Sequence, residues 1–547
     1  MFDSMKSSSC PSCPPSSSPS SCPSCSPAPA ALPGGEDFLR TLADCTDLGH
    51  SKRNQAFVRQ VSLLLQAPGK AGAEVPAVPG AGGAPWADLV SLYRFAGNEE
   101  IDLARLREAR RRFVLQPLEA GREILAVHDP TTLNFAGQDS KTDRRRIGND
   151  KGKGYEYVPV LAVDPASGDF LGVLHDTVIN NAGPDDAGEM DYDYDPLFAG
   201  FSEADQKRLR ENHRHQMAVH VRGLAPHLRQ VRVVHVADRE FDDVFLVLAA
   251  LDSDSELIVR ATGLRNVQVP EAPWIPPEAR TQKQWGHAAP EGWACVNLPL
   301  LLPAIACEPY KEIALDAKGR VASQPAAAAR IARLEIGGCR VRLYRAARRN
   351  KQYFLPPRAV EVHLVLVREI DPPADASPLC WTLFTTLPAA TLAQRIRVAS
   401  FYEKRWGVEV FFRLLKSGYG IERSRLRDAA KTGRLLVVLT IAALVVIRLK
   451  TAMGLGPGGK LDDETYQKAK QAVKNPEAPE VTPEWKLFGL VLRYGGWLGR
   501  RNDPVGPKIL MRGILMTLAV LEAIEYHRKL LETVLENKPI LRRIFCV

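Results

Sequence analysis

The sequence lacks the features that would place it in a membrane or direct it out of the cell. Its longest apolar run, residues 435–447, has thirteen residues, whereas a helix needs about 20 apolar residues to cross a bilayer. The N-terminus has no basic-then-apolar export signal, and the chain contains no internal repeat. These absences predict a cytoplasmic protein without a membrane partner, in which residues 435–447 form a buried core helix.

Cysteine is too sparse and too unevenly placed to form a disulfide framework. Four of the ten cysteines form two CPSC units at residues 10–13 and 22–25. The eight residues between the units are rich in Ser and Pro, while zinc ribbons use about 15–20. The alternatives are a zinc site or a disordered tail, and the composition of residues 1–34 favours the tail. The remaining, single cysteines are typical of small buried side chains in a reducing compartment.

The charge balance is only moderately basic. Lys and Arg number 72 against 63 Asp and Glu, so the formal net charge is +9. This excess permits a polyanionic partner without requiring one. The chain has 547 residues, of which 45% are hydrophobic and 25% charged. These values predict an ordinary globular protein with three or four domains.

Changes in residue pattern divide the chain into segments. The fold class expected from them is an α/β core with a β-rich insertion, flanked by helical domains. A basic run at residues 105–112 is either a solvated helix face or a phosphate-contacting one. The predicted segments are a disordered tail (1–34), an N-terminal helical domain (35–118), the α/β core (119–262 and 380–423), the insertion (263–379) and a C-terminal helical domain (424–547).

Two predicted strands each run directly into an aspartate. Residues 123–128 end at Asp129, and residues 231–237 end at Asp238. Further elements of this core are predicted at residues 157–163, 170–175 and 256–262 (strands) and at 202–223 and 242–251 (helices). Strands are also predicted in the insertion at residues 332–336, 341–344 and 360–370, and a helix in the C-terminal domain at residues 508–535. This order is that of a ribonuclease H-like fold, in which the first and fourth strands are neighbours. We therefore expect Asp129 and Asp238 to lie side by side at one sheet edge.

A polar face is predicted on the helix at residues 401–416. Tyr402, Arg405, Glu409 and Lys416 follow one another at steps of three, four and seven residues. On a regular helix they fall within an arc of roughly 60°. A solvated face also mixes charges, so the spacing alone leaves the role of these residues open.

Three carboxylates on regular elements are candidates for a metal site. Asp129, Asp238 and Glu409 offer the oxygen ligands that Mg²⁺ prefers. Two metal ions held by such a trio are typical of phosphodiester cleavage. Because Asp and Glu are common residues, the pattern alone does not choose between a metal site and a chance grouping.

Several short motifs resemble those of one enzyme family. The residues Tyr402, Arg405, Glu409 and Lys416 resemble the YREK signature of the DDE transposases of the insertion-sequence-four family. Asp129-Pro-Thr131 is similar to the motif around that family's first acid, and Asp238-Arg239-Glu240 to the motif around the second. Weaker similarity covers residues 93–98 and 487–500, so that the resemblance runs from about residue 36 to about residue 520.

The resemblance implies a function and a set of partners. The expected fold is a ribonuclease H-like core with a β-strand insertion between the second Asp and the Glu. The N-terminal domain would bind the terminal inverted repeats of a transposon, and the C-terminal helices would form a homodimer. The implied reactions are hydrolysis of the transposon end, hairpin formation, hairpin opening and strand transfer into target DNA. In the cell such a protein would be associated with the nucleoid when bound to DNA.

The resemblance also implies roles for individual residues. Asp129, Asp238 and Glu409 would hold two Mg²⁺ ions, for which Mn²⁺ would substitute. The matching DNA contacts are Tyr402, Arg405, Lys416, Arg260, Trp381 and Trp406, with Trp381 holding a flipped base during hairpin formation. Each has a structural alternative: a buried sheet residue for Trp381, a surface ion pair for Arg260 and core packing for Tyr402.

Two other functions stay open at this stage. One is a structure-selective nuclease on the same fold, which would cleave DNA without strand transfer. The other is a catalytically inactive DNA-binding relative that inhibits transposition. The intact trio Asp129, Asp238 and Glu409 favours an active enzyme over this second alternative.

Overall fold

The structure is a computed structural model of the chain. It describes residues 35–66, 85–148, 152–185, 202–204, 211–262, 265–281, 289–315, 329–345, 348–350, 353–355, 358–373, 376–452, 463–497, 499, 505–506, 509–510 and 512–513. The predicted tail with its two CPSC units, and most of a helix predicted at residues 508–535, lie outside the described residues.

The strands belong mainly to one large sheet. Their bounds are β1 (Glu123–His128), β2 (Thr131–Asn134), β3 (Arg145–Arg146), β4 (Lys153–Val163), β5 (Phe170–Asn180), β6 (Gly183–Pro184), β7 (Arg232–Ala237), β8 (Glu256–Arg260), β9 (Asn266–Pro270), β10 (Trp293–Asn297), β11 (Cys307–Leu315), β12 (Arg330–Arg345), β13 (Arg348–Asn350), β14 (Tyr353–Leu355), β15 (Arg358–Glu369) and β16 (Cys380–Thr385). The five core strands predicted before residue 263 correspond to β1, β4, β5, β7 and β8.

The helices flank this sheet. Their bounds are α1 (Gly35–Asp44), α2 (Ser51–Gln66), α3 (Pro85–Gly97), α4 (Leu103–Leu115), α5 (His213–Leu224), α6 (Val244–Asp252), α7 (Leu298–Leu301), α8 (Leu392–Glu403), α9 (Gly407–Arg413), α10 (Ala429–Ala452), α11 (Asp463–Lys474) and α12 (Pro483–Gly495). The single helix predicted over residues 202–223 is wrong, because α5 begins only at residue 213. Asn212 before it has an extended backbone (φ −96°, ψ 117°), and its side chain caps α5 by accepting a hydrogen bond from the N–H of Arg214. Residues 205–210 lie outside the described part.

The centre of the sheet positions the candidate site. Its strand order is β10-β9-β12-β15-β16-β8-β7-β1-β4-β5-β6. β1 and β7 pair in parallel, with His128 opposite Ala237, and β4 pairs with β1 antiparallel. The predicted adjacency of the first and fourth core strands is therefore confirmed. This mixed α/β architecture is consistent with a ribonuclease H-like domain.

The β-rich insertion extends the same sheet. β15 pairs with β16 on one side and with β12 on the other. The sequence predicted two strands, at residues 332–336 and 341–344, where the structure has the single strand β12. The reason is the pair Gly337 and Gly338. Two adjacent glycines are typical of a turn, but here they allow neighbouring backbone to approach β12 closely. A Cβ on Gly338 would lie 2.3 Å from the carbonyl oxygen of Leu364.

The basic run at residues 105–112 is largely buried, so neither alternative for it was correct. Arg107 and Arg110 are fully buried on α4. Arg107 Nε donates to Asp176 Oδ1 over 3.0 Å, and Arg110 Nη1 donates to Asp176 Oδ2 over 2.8 Å. Arg110 Nη1 also donates to the hydroxyl of Thr440 on α10. These contacts hold α4, β5 and α10 together, so the run is a structural element.

The apolar run that forms α10 is a core helix, as predicted. Among the described residues one helix, Ala429–Arg448, is long and apolar enough to cross a membrane, but 83% of that window is buried inside the protein. Of the single cysteines, Cys295 is buried, Cys45, Cys307 and Cys339 are half-buried and Cys380 is exposed. The expectation of uniformly buried cysteines was therefore only partly correct.

Candidate active site

Two aspartates meet where the central parallel strands end. Asp129 follows β1 directly and Asp238 follows β7 directly, and the last residues of the two strands are paired. Adjacent parallel strands lie about 4.8 Å apart, so the two carboxylates extend from neighbouring positions of the same edge. The sequence-based expectation for this pair is confirmed.

Arg405 joins the two aspartates. Its Nη1 donates to Asp129 Oδ2 over 2.8 Å, and its Nη2 lies 3.6 Å from Asp238 Oδ2. The Arg405 side chain is 9% exposed. A buried guanidinium between two acids offsets their mutual repulsion, which a low-dielectric setting strengthens.

The polar helix is less regular than predicted. α8 ends at Glu403, residues Lys404–Trp406 form a 3₁₀ turn, α9 covers Gly407–Arg413, and Leu414–Gly418 is a π-helical turn. Changes between these helix types alter the angular step per residue. The uniform arc expected for the four signature residues is therefore wrong in detail, although all four lie on this helical segment.

The signature residues contact different partners. The Tyr402 hydroxyl donates to Asp238 Oδ1 over 3.0 Å. Lys416, on the π-helical turn, donates to the hydroxyl of Thr131 over 2.7 Å. Tyr402 is 1% exposed, so its ring packs in the core while its hydroxyl reaches the site. The structural alternative for Tyr402, core packing, is therefore present, while its contact with a DNA phosphate stays a prediction.

Glu409 is the exposed member of the acidic trio. It lies in the first turn of α9 and its side chain faces solvent. Its charge nevertheless acts on Asp129, as do the charges of Asp238 and Glu240. The four acids therefore belong to one electrostatic site.

The two aspartates have pKa values displaced in opposite directions. Burial raises the pKa of Asp129 to about 6; Arg405 opposes the rise, while Glu240, Asp238 and Glu409 add to it. Burial also acts to raise the pKa of Asp238, but Arg405 and the hydrogen bonds that this carboxylate accepts outweigh burial and lower it. Opposite shifts in adjacent acids are typical of functional sites.

Aromatic residues lie beside the acids. Trp381 on β16 is 4% exposed, whereas Trp406 is 46% exposed. Their ring centroids are 5.7 Å apart and nearly perpendicular, and the Trp381 ring also lies 6.1 Å from that of Tyr402. In this DNA-free structure Trp381 is thus a buried sheet residue, and Trp406 presents the accessible ring.

Arg260 lies at the end of β8, close to Asp238. Its Nη1 is 4.0 Å from Asp238 Oδ1, and its Nη2 donates to the carbonyl oxygen of Cys380 over 3.2 Å. The structure therefore brings Arg260 into the site, where it forms an ion pair with one of the predicted metal-holding acids.

A second group of charged residues was missed by the sequence analysis. His213 at the start of α5 lies 3.4 Å from Glu240 and 3.7 Å from Glu156. The nearby carboxylates of Glu156 and Glu240 raise the pKa of His213 to about 9, against the effect of burial. The negative charge of Glu240 in turn contributes to the raised pKa of Asp129. The only signal for this group in the sequence was Glu240, two residues after Asp238.

The carboxylates of Asp129, Asp238 and Glu409 are suitable ligands for a divalent cation, but the three are not close enough together to form one metal site. Within the described ranges, no three His, Cys, Asp or Glu side chains are close enough together to hold a metal ion. The oxygen donors are those that Mg²⁺ prefers. Burial first, and the neighbouring acids second, raise the pKa of Asp129, and a cation would neutralise the negative charge of those acids. Asp129, Asp238 and Glu409 are thus the residues available to such an ion.

A comparison with protein families finds a similarity over part of the chain. Residues 210–445 match the family model described as a transposase DDE domain. The matched range contains Asp238, Arg260, Trp381 and the helical segment with Glu409, and Asp129 precedes it. The match supports a DDE transposase, a class of nucleases and strand transferases that act on DNA and generally use divalent metal ions.

Proposed function

We propose that this protein is a cut-and-paste DNA transposase of the insertion-sequence-four family, most similar to the transposase of transposon five. The observation that carries the proposal is the meeting of Asp129 and Asp238 at paired strand ends, joined by Arg405 of the YREK segment. This brings all three sequence motifs to one sheet edge, next to a buried and an exposed Trp.

Asp129, Asp238 and Glu409 are the residues that would hold Mg²⁺, with Mn²⁺ as a substitute. Bound there, two ions would activate the attacking oxygen and stabilise the leaving one. Arg405 would exchange its contacts with the aspartates for a bidentate contact with a phosphate near the cut, since guanidinium geometry suits both anions.

The neighbouring residues orient the DNA in this proposal. Lys416, Tyr402 and Arg260 supply donors around the acids. The Trp381 and Trp406 rings would hold a base turned out of the stack while the 3′-hydroxyl attacks the opposite strand to form the hairpin. Hairpin opening and strand transfer into target DNA then reuse the same acids.

The assembly proposed is a homodimer on two transposon ends. The N-terminal helices would recognise the terminal inverted repeats and the C-terminal helices would join the subunits. The protein would act in the cytoplasm, on the nucleoid.

One observation favours a second candidate, a catalytically inactive relative that inhibits transposition. Glu409 is exposed and does not complete a three-ligand group among the described residues. Such a protein would bind transposon ends without cutting them.

The test uses DNA carrying the inverted repeats that flank this gene. The purified protein and its Glu409→Gln variant are incubated with this DNA in Mg²⁺. Cleavage at the repeat boundary by wild type alone supports the transposase, whereas binding without cleavage by either supports the inactive relative. Cleavage without strand transfer into a target plasmid indicates a nuclease, and equal cleavage by both proteins removes Glu409 from the mechanism.

A further inference from the structure

The sheet edge that carries the two aspartates is covered from both faces. Val236 of β7 shares a hydrophobic core with Val398 of α8. Ala237, the next and last residue of that strand, shares a different core with Met217 of α5. Because successive residues of a strand point to opposite faces of the sheet, α8 and α5 lie on opposite faces at this edge.

The residues that we propose to hold the transposon end come mainly from the α8 side. Arg405, Trp406 and Lys416 belong to the helical segment that follows α8. Arg405 contacts both aspartates, and Lys416 contacts Thr131. The α5 side of the edge has no DNA contact assigned to it.

Two exposed arginines lie on the α5 side. Arg239 directly follows Asp238, and Arg214 lies in the first turn of α5. They are the sequence neighbours of Glu240 and His213, whose side chains approach within 3.4 Å of each other. This contact brings both arginines to the same corner of the site.

The protein does not hold the guanidinium group of either arginine. Among the described residues, neither group forms a hydrogen bond or an ion pair. The acids beside Arg239 in the sequence have other partners. Glu240 pairs with His213, and Asp238 lies 3.6 Å from Arg405. Exposed guanidinium groups without an acid partner are available to phosphate groups, whose geometry they match.

The turn that carries Arg239 is anchored in the fold. It is a 3₁₀ turn, Arg239–Phe241, whose last residue is 1% exposed. The next residue, Asp242, accepts hydrogen bonds from the backbone N–H and the hydroxyl of Thr262, over 2.7 and 2.8 Å. The backbone of Arg239 is therefore fixed beside Asp238, and only its side chain has to become ordered when it binds a phosphate.

Strand transfer requires two DNA molecules at one set of acids. The 3′-hydroxyl oxygen of the cut end forms a bond to a phosphorus of the target strand, and the bond from that phosphorus to the 3′-oxygen of the target breaks. The attacking oxygen loses its proton and the leaving oxygen gains one. The two oxygens lie in line on opposite sides of the phosphorus. Because the transposon end is held from the α8 side, the target strand extends towards the α5 side.

We propose that Arg214 and Arg239 bind the phosphate backbone of the target DNA. The contact is independent of base sequence, since contacts with phosphate carry no direct sequence information. This inference rests on the proposed function and assigns a binding surface to the second DNA of that function.

The variant that tests it is Arg214→Gln/Arg239→Gln, with Arg214→Lys/Arg239→Lys as the charge-preserving control. Complexes of the protein with a pre-cut transposon end are titrated with a labelled duplex of arbitrary sequence as target. Loss of two phosphate contacts should make the salt dependence of target binding shallower by about 1.8 in log–log slope. Between about 50 and 200 mM salt, the affinity of the wild type should then fall about tenfold more than that of the glutamine variant. The lysine control should keep the wild-type slope.

Arg229→Gln/Arg232→Gln is the matched control for net charge. Both arginines are exposed, and Arg232 begins β7, about 20 Å along the strand from Asp238. At that distance an exposed charge is largely screened by salt, so target binding should equal that of the wild type. An equal change of slope in the two glutamine variants would reflect net charge alone and would overturn the assignment.

A second arm measures the ratio of strand transfer to end cleavage. The Arg214→Gln/Arg239→Gln variant should cut transposon ends as the wild type does and join fewer of them to a target plasmid. A higher plasmid concentration should restore joining, as expected for a binding defect. If cutting and joining fall in the same proportion, the arginines contact the transposon end and the proposal is wrong. Thermal unfolding midpoints should match among all variants, because the substituted side chains are exposed.

The outcomes separate this inference from the proposed function. If the wild type neither binds nor cuts transposon ends, the proposed function fails and the target assignment fails with it. If the wild type cuts without joining, the protein is a nuclease and only the target DNA is removed from the scheme. If the wild type cuts and joins, and the glutamine variant keeps the wild-type slope and joining, the arginine assignment alone fails.

Discussion

Arg405 donates a 2.8 Å hydrogen bond to Asp129, although 276 positions separate the two residues. The contact joins the end of the first core strand to a helical turn that follows the whole insertion. Since the same guanidinium also lies near Asp238, one residue of the late segment organises both early acids. The site therefore forms only when the early and the late segments of the core are folded together.

Glu409→Gln should retain transposon-end binding and lose nicking. The substitution removes the negative charge that a divalent cation needs and leaves the shape of the exposed side chain nearly unchanged. Loss of a direct ligand should lower the nicking rate by more than about 100-fold, the upper range for loss of an outer-shell partner. The rate is measured on end-labelled DNA in single-turnover conditions.

Glu403→Gln is the matched control for that experiment. Glu403 ends α8 and contacts Lys311 and Tyr310, away from the aspartates. Its variant should nick at close to the wild-type rate. Equal loss in the two variants would indicate general damage to the helical segment.

Trp381→Ala should nick transposon ends but form hairpins poorly. The reason is the loss of the ring that we propose to hold the flipped base, while the acids stay in place. Because Trp381 is 4% exposed, the substitution should also cost about 3–5 kcal/mol of stability. Nicked and hairpin products are separated on denaturing gels at a temperature where the variant is folded.

Trp406→Ala provides the comparison for Trp381. It is 46% exposed, so its removal should cost much less stability. A hairpin defect in Trp406→Ala with normal hairpins in Trp381→Phe would assign base holding to Trp406 and leave Trp381 as its packing support.

Asp176→Asn should destabilise the protein by about 3–5 kcal/mol, the usual effect of breaking a buried ion pair. Although burial acts to raise it, Arg110 and Arg107 hold the pKa of Asp176 well below its usual range. The neutral variant takes the carboxylate partner from the buried guanidinium of Arg110 and one of two from Arg107, which keeps its ion pair with Asp185. The free energy of unfolding is measured in urea.

Asp37→Asn is the control for this loss, since Asp37 pairs with Arg40 at the surface. We expect a change within about 0.5 kcal/mol. A similarly small change for Asp176→Asn would show that the two arginines find other partners when Asp176 is neutral.

His213→Gln should alter the pH dependence of stability between about pH 6.5 and 9. Ion pairs with Glu156 and Glu240 raise the pKa of His213 from 6.5 to about 9. The protonated imidazole therefore stabilises the fold fully below pH 6.5, and this contribution is lost as the pH rises through 9. The variant should lack about 2–3 kcal/mol at pH 6 and almost nothing above pH 9.5.

Urea unfolding of both proteins across this range checks the sign. His227→Gln serves as the control, because burial lowers the pKa of His227 and its loss should leave the decline between pH 6.5 and 9 in place. A decline that persists unchanged in His213→Gln would contradict the assigned ion pairs.

The central strands and the two aspartates were predictable because their signals are local. Four apolar residues form the centre of the run EILAVH, and Asp129 and a proline stop it, so the predicted bounds of β1 agree with the structure. The pairing of β1 with β7 followed from the order of elements, which limits parallel strands to few arrangements. Asp129 and Asp238 could then be predicted to lie close together, because each directly follows one of these two strands.

Other features depend on contacts that sequence patterns do not carry. The arginines of α4 read as a surface run, and their burial depends on Asp176, which is 66 and 69 positions away. The group of His213, Glu156 and Glu240 is assembled from three separate elements. The 3₁₀ and π turns beside Glu409 have no counterpart in the sequence pattern, since residues 401–416 contain no proline.

The placement of β16 between β8 and β15 means that the site is completed late during synthesis of the chain. β8 ends at Arg260, but its neighbour β16 begins only at Cys380, and Glu409 follows later still. At about 5–20 residues per second, a ribosome needs roughly 10–30 s to go from Asp238 to Glu409. During that interval the nascent chain has both aspartates but neither Arg405 nor Glu409. The cutting capacity that we propose for this protein would therefore be absent until the core is nearly complete.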